Sequence, residues 1–95
     1  MIVYIGGKIN GLPNYEEVFK KVENKLKKDN HIVLNPAELP KGMPYEKYMP
    51  ICTAMIDQCD FVYILNNFHT SKGANCEIQY AKCTGKPIIY QKEVQ

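Results

Sequence analysis

Ile2-Val3-Tyr4-Ile5-Gly6-Gly7 places four apolar residues in a row and closes them with two glycines. A half-exposed strand alternates apolar and polar residues, whereas an unbroken apolar run fits a strand covered on both faces. Such strands belong to parallel sheets with helices packed above and below. The glycines allow a sharp turn at the strand end.

Outward from this stretch, the same logic repeats. Pro13 and Asn14 open a helix, with Asn14 as N-cap and Glu17 three residues on, a capping-box pattern. Tyr15, Val18, Phe19, Val22 and Leu26 follow helical spacing, and the helix is expected to end near Asn30. Ile32-Val33-Leu34 is a second strand, closed by Asn35-Pro36, and residues 36–44 form a loop carrying Pro36, Pro40, Gly42 and Pro44. Tyr45 to Met49 suit one helical turn, after which Pro50 restarts or kinks the helix. Ile51, Met55, Ile56 and Cys59 supply its apolar face. Phe61 to Leu65 is a third buried strand, 66–71 a polar loop, 72–84 a helix stopped by Gly85, and Ile88-Ile89-Tyr90 a fourth strand.

Alternating strands and helices over 95 residues predict one α/β domain, 1–95, with a four-stranded parallel sheet in order 2-1-3-4 and helices on both faces. Ligands of open parallel sheets bind beyond the strand C-termini, at the point where the strand order reverses. That directs attention to the loops Gly6–Pro13, Asn35–Pro44 and Asn66–Gly73.

Composition narrows the function. The net charge is +2, and all 12 basic residues are lysines. Base readout and bidentate phosphate recognition lean on arginine, so a nucleic-acid partner is not expected. Lys20, Lys21, Lys25, Lys27 and Lys28 are interspersed with acids and read as a solvated helix face. No apolar run is long enough for a bilayer, and the short N-terminal one lacks the marks of a signal peptide, so a cytoplasmic protein is expected. Cys52, Cys59, Cys76 and Cys83 contain no CxxC spacing, which argues for buried reduced thiols and against a metal site.

Among the motifs, Gly6-Gly7-Lys8-Ile9-Asn10-Gly11 is neither GxGxxG nor a Walker loop. It is a tight turn or a backbone cradle for a ligand, with Lys8 able to meet an anion. Ser71-Lys72-Gly73-Ala74-Asn75-Cys76-Glu77 is more informative. Ser71 or Thr70 can cap the helix, and Gly73 lies one turn before Glu77 on the same face. Helical side chains lean toward the N-terminus, so Glu77 is expected to point into a space left empty by Gly73. Ala74, Ile78 and Ala81 form the buried face, leaving Glu77 at its edge and partly desolvated, as a nucleophile or base or as a plain solvated glutamate. Asn35 and Glu38 end the second strand at the same sheet edge, as ligand contacts or as turn and surface residues. Asp57 is open to either reading. Tyr4 fits the core, His69 an exposed loop, and Tyr45, Tyr48 and Phe68 either pack or stack on a base.

Taken in order, Tyr4-Ile5-Gly6-Gly7 with Gly11-Leu12-Pro13, Asn35-Pro36-Ala37-Glu38, Cys59-Asp60-Phe61-Val62-Tyr63-Ile64-Leu65, and Ser71-x-Gly73-x-x-x-Glu77 with Tyr80-Ala81 resemble the nucleoside 2-deoxyribosyltransferase-like superfamily, and within it the short group known as domain of unknown function 4406. The resemblance covers nearly the whole chain. It implies a flavodoxin- or Rossmann-like three-layer sandwich and N-glycosidic chemistry on a nucleoside or nucleotide, with no cofactor and no metal. Glu77 would attack C1′ of the sugar, and Ser71 would bind sugar hydroxyls or a 5′-phosphate. Tyr4, Gly6, Gly7, Lys8, Gly11, Asn35, Glu38 and Gly73 complete the expected substrate-binding set. A homo-oligomer is implied, because the family completes its sites with a residue from a neighbouring subunit. The chain departs from the pattern at one point. The position of the acid that protonates the leaving base falls on Cys52, so Glu38 or Asp57 would have to substitute, or the domain binds nucleotides without turning them over.

Overall fold

The computed structural model describes residues 1–92; the last three residues of the expected domain lie outside the described residues. Its elements are β1 (Ile2–Gly6), α1 (Tyr15–Lys28), β2 (Ile32–Leu34), α2 (Tyr45–Gln58), β3 (Phe61–Ile64), α3 (Lys72–Cys83) and β4 (Ile88–Tyr90). The four strands form one sheet in the order β2-β1-β3-β4, and every pairing is parallel. Val3 pairs with Val33 on one side of β1, and Tyr4 with Val62 on the other.

Side-chain alternation along β1 explains the two halves of the core. Val3 and Ile5 join Phe19, Val22 and Leu26 of α1 on one face of the sheet. Tyr4 points the other way, into a cluster with Cys52, Ile56, Ile64, Ile78 and Ala81 beneath α2 and α3. The continuous apolar run thus serves two layers at once. Gly6 continues the Tyr4 side and Gly7 the α1 side. A Cβ on Gly7 would come within 2.7 Å of Leu65 Cδ1, so the chain crosses the sheet end there only without a side chain.

Several expectations are corrected. Asn14 does precede α1, but its side chain makes no capping bond. Its backbone (φ −102°, ψ 29°) is not in the extended conformation that brings an N-cap oxygen over the first turn, so no capping box forms. Tyr45–Met49 is not a separate turn: α2 runs unbroken from Tyr45 to Gln58 with Pro50 inside it. Pro50 offers no N–H to the Glu46 carbonyl one turn back, and Glu46 is exposed, where water can serve that group. Thr53 Oγ1 lies 3.0 and 3.1 Å from the Met49 and Pro50 carbonyls and shares its one proton between them, a back-bond to the preceding turn. Loop 36–44 contains a 3-10 turn, Pro36–Glu38, capped by Asn35. All four cysteines are free, but only Cys52 and Cys59 are buried; Cys76 and Cys83 lie on the exposed side of α3.

Candidate functional site

The loops that follow β1 and β2, the Thr70–Ser71 end of the loop after β3 and the N-terminal turns of α2 and α3 enclose a cavity of about 1050 Å³. Its lining includes Gly7, Gly11, Tyr45, Tyr48, Cys52, Ser71, Gly73 and Glu77. The cavity therefore draws on all three loops that the strand order singles out.

Glu77 is its focus. Ser71 starts α3 with its Oγ accepting from the Ala74 amide at 3.1 Å, the N-cap that sets the helix phase. That phase buries Ala74, Ile78 and Ala81 and carries Glu77 in with them, to 7% exposure. Because Tyr4 faces this layer, its hydroxyl reaches across the core and donates to Glu77 Oε2 at 2.8 Å. Oε1 lies over Gly6, only 3.3 Å from where a Cβ would stand, so a residue with a side chain there would press on the carboxylate.

Burial is the largest influence on Glu77 and pushes its carboxyl up to about 7; contacts with the Tyr4 hydroxyl and the Cys52 thiol offset part of that rise. Burial likewise raises Tyr4 well above the ordinary phenol range, and Glu77 and Cys52 push it further. The Cys52 thiol is pushed up to about 11, again chiefly by burial. The three groups form a dry cluster in which Glu77 is the one that ionises near neutral pH.

The space above Glu77 is not empty as expected. The Tyr45 ring occupies it, its hydroxyl 3.1 Å from where a Gly73 Cβ would be. Glycine at 73 makes room for another side chain, not for bare solvent. Tyr48 holds the adjoining loop: its hydroxyl donates to the Pro40 carbonyl at 2.5 Å and accepts from the Met43 amide at 3.1 Å.

Other expected contacts fall outside the cavity. The Asn35 side chain is consumed by the Ala37 amide (2.9 Å) and by Glu23 Oε1 (2.9 Å). Glu38 is exposed and pairs with Lys20 at 3.8 Å. Both border a separate hollow of about 260 Å³ with Glu16 and Lys20. Asp57 accepts from the Tyr80 hydroxyl at 2.6 Å and does not line the cavity. Lys8 ties two loops together: its amide donates to Asn67 Oδ1 at 3.0 Å and its ammonium to Thr70 Oγ1 at 2.9 Å. His69 is exposed and stacks beside Phe68. No group of three or more His, Cys, Asp or Glu among the described residues is arranged to hold a metal ion.

Residue order marks Tyr45 only as a packing or stacking residue; its place over Glu77 carries no local signal. Lys41 and Lys72 also border the cavity, and their charge alone did not distinguish them from surface lysines.

Comparison with known proteins agrees with this fold. The family profile of Domain of unknown function (DUF4406) matches residues 1–90. A sequence comparison with curated proteins gives no match. Among solved structures, a 2-deoxyribosyltransferase from Bacillus psychrosaccharolyticus superposes with a TM-score of 0.76 at 16% identity, over 100% of this chain and 77% of that one. The 2-desoxiribosyltransferase of Leishmania mexicana also gives 0.76, at 22% identity, over 94% of this chain and 62% of that one. A CMP N-glycosidase from Clostridium botulinum gives 0.66 at 22% identity, over 95% and 70%. With its strand order, its helices on both sheet faces and its matched profile, the chain belongs to the family Domain of unknown function (DUF4406) and has the fold of the 2-deoxyribosyltransferases.

Proposed function

We propose that the protein cleaves the N-glycosidic bond of a nucleoside or nucleotide, by hydrolysis or by transfer of the deoxyribosyl group, with Glu77 as the nucleophile at C1′. The observation that carries this is a carboxyl raised to about 7 by burial yet lining the cavity. Such a group is available as a carboxylate at neutral pH while being only thinly solvated, which favours attack on a carbon that is gaining positive charge. The Tyr4 hydrogen bond to Oε2 fixes the plane of the carboxylate and so helps aim it. The solved structures with this fold include enzymes acting on such bonds, which supports the choice of substrate class. Of the expected contacts, Gly7, Gly11, Ser71 and Gly73 border the cavity and remain the substrate-binding candidates.

On this proposal the protein works as a homo-oligomer in a reducing cytoplasm; the four free thiols suit the reducing setting. A second reading, a nucleotide-binding module without turnover, is favoured by Cys52, whose raised thiol is a poor acid. Base release from a panel of 2′-deoxynucleosides and their 5′-phosphates separates the two. Turnover lost by at least 100-fold in Glu77→Ala supports the enzyme. Calorimetric binding with no turnover supports the module, and equal turnover by wild type and Glu77→Ala removes Glu77 from the chemistry.

A further inference from the structure

If Glu77 takes the sugar, the base leaves with the electron pair of the broken bond. A purine or pyrimidine nitrogen holds that charge poorly, so fast cleavage needs a proton delivered as the bond breaks. The side chains around the cavity leave few donors. Cys52 is 6% exposed and packs in the core cluster beside Tyr4, with burial holding its proton tightly. The Tyr48 hydroxyl is spent on the Pro40 carbonyl. Lys41 is bound to Glu16 at 2.7 Å, with Tyr15 beneath its ammonium. Lys72 is five residues from Glu77 and so projects from a different side of α3.

Burial, Cys76 and Glu77 raise the Tyr45 phenol as well, so what sets it apart is its position. It enters on the first turn of α2, is 40% exposed, and borders the cavity together with Glu77. Its hydroxyl occupies the position a side chain at residue 73 would take. Residues 73 and 77 are stacked one turn apart on the same face of α3, so the Tyr45 phenol beside residue 73 and the Glu77 carboxylate serve the same side of the cavity. The same crowding explains the glycine, since any Cβ at 73 would contact the phenol oxygen.

We propose that Tyr45 is a catalytic residue of this site, the phenol that gives its proton to the departing base nitrogen. The step rests on the role assigned to Glu77 above. As the C1′–N bond breaks, its electron pair goes to the nitrogen, which takes the Tyr45 proton, while a Glu77 oxygen bonds to C1′. In the hydrolytic second half, water attacks C1′, the C1′–O bond to Glu77 breaks, and the proton of that water returns to the Tyr45 phenolate.

The test compares wild type, Tyr45→Phe and Glu77→Ala on two kinds of substrate. One is a natural 2′-deoxynucleoside or its 5′-phosphate; the other is 4-nitrophenyl 2-deoxyriboside, whose leaving phenolate needs no proton. Tyr45→Phe is expected to lower kcat/KM on the natural substrate by about 100-fold or more, and by at least tenfold less than that on the nitrophenyl substrate. Glu77→Ala is expected to abolish both. Phenylalanine keeps the ring, and an unfolding midpoint matching wild type checks that packing is intact. Equal loss on both substrates, or no loss on either, overturns the role of Tyr45 while leaving Glu77 in place. Equal rates for Glu77→Ala and wild type, or no turnover by wild type, overturn both.

Discussion

Replacing Glu77 by glutamine should stabilise the protein above neutral pH, and the gain should fade in acid. Burial lifts this carboxyl from 4.5 to about 7, so the folded protein holds the proton more tightly than the unfolded chain does. The stability that proton binding lends is fully present below pH 4.5 and is lost as the pH rises through 7. At about 1.4 kcal/mol per pH unit, the whole window amounts to about 3 kcal/mol. Glutamine keeps the shape and an acceptor for the Tyr4 hydroxyl but does not titrate. The stability of Glu77→Gln relative to wild type should therefore rise by about 2–3 kcal/mol between pH 5 and pH 8 and level off beyond. Urea unfolding of both proteins at the two pH values measures it, and the comparison cancels every other titrating group. A stability difference that is the same at pH 5 and pH 8 would show that the carboxyl is not held dry, and the nucleophile assignment would lose its physical basis. The same variant should lose base-release activity, so a more stable protein would be a disabled one.

Two further substitutions test the scaffold around the cavity. Gly7→Ala should cost about 1–3 kcal/mol, because its Cβ would lie 2.7 Å from Cδ1 and 2.9 Å from Cγ of a fully buried Leu65; a midpoint in urea unchanged from wild type would mean that the strand end shifts freely. Glu23→Ala should cost about 2–3 kcal/mol. Although burial by itself would raise the Glu23 carboxyl, hydrogen bonds led by Lys27 hold it at about 2, and its removal leaves the buried Asn35 amide without its acceptor. The variant's thermal unfolding should still be cooperative, and a loss under about 0.5 kcal/mol would show the pair to be interchangeable with solvent.

What could be read from residue order was whatever depends on near neighbours. The apolar runs at Ile2–Ile5 and Phe61–Ile64, the spacing of Tyr15 through Leu26, and the glycine after α3 fix the elements, and their alternation leads to a parallel sheet in the order observed. The edge position of Glu77 follows from the same periodicity, since Ala74, Ile78 and Ala81 define the buried side of its helix. Contacts between distant parts of the chain carry no such signature. Tyr4 and Glu77 are joined only because β1 turns alternate residues to opposite layers and α3 packs on the layer that receives Tyr4. Asn35 and Glu38 sit at the expected sheet edge, yet partners on α1 draw them into a different hollow. Gly73 reads as a gap until α2, continuous through Pro50, delivers Tyr45 into it. Periodicity states which way a side chain faces within its own element; which other side chain it meets depends on how the layers pack.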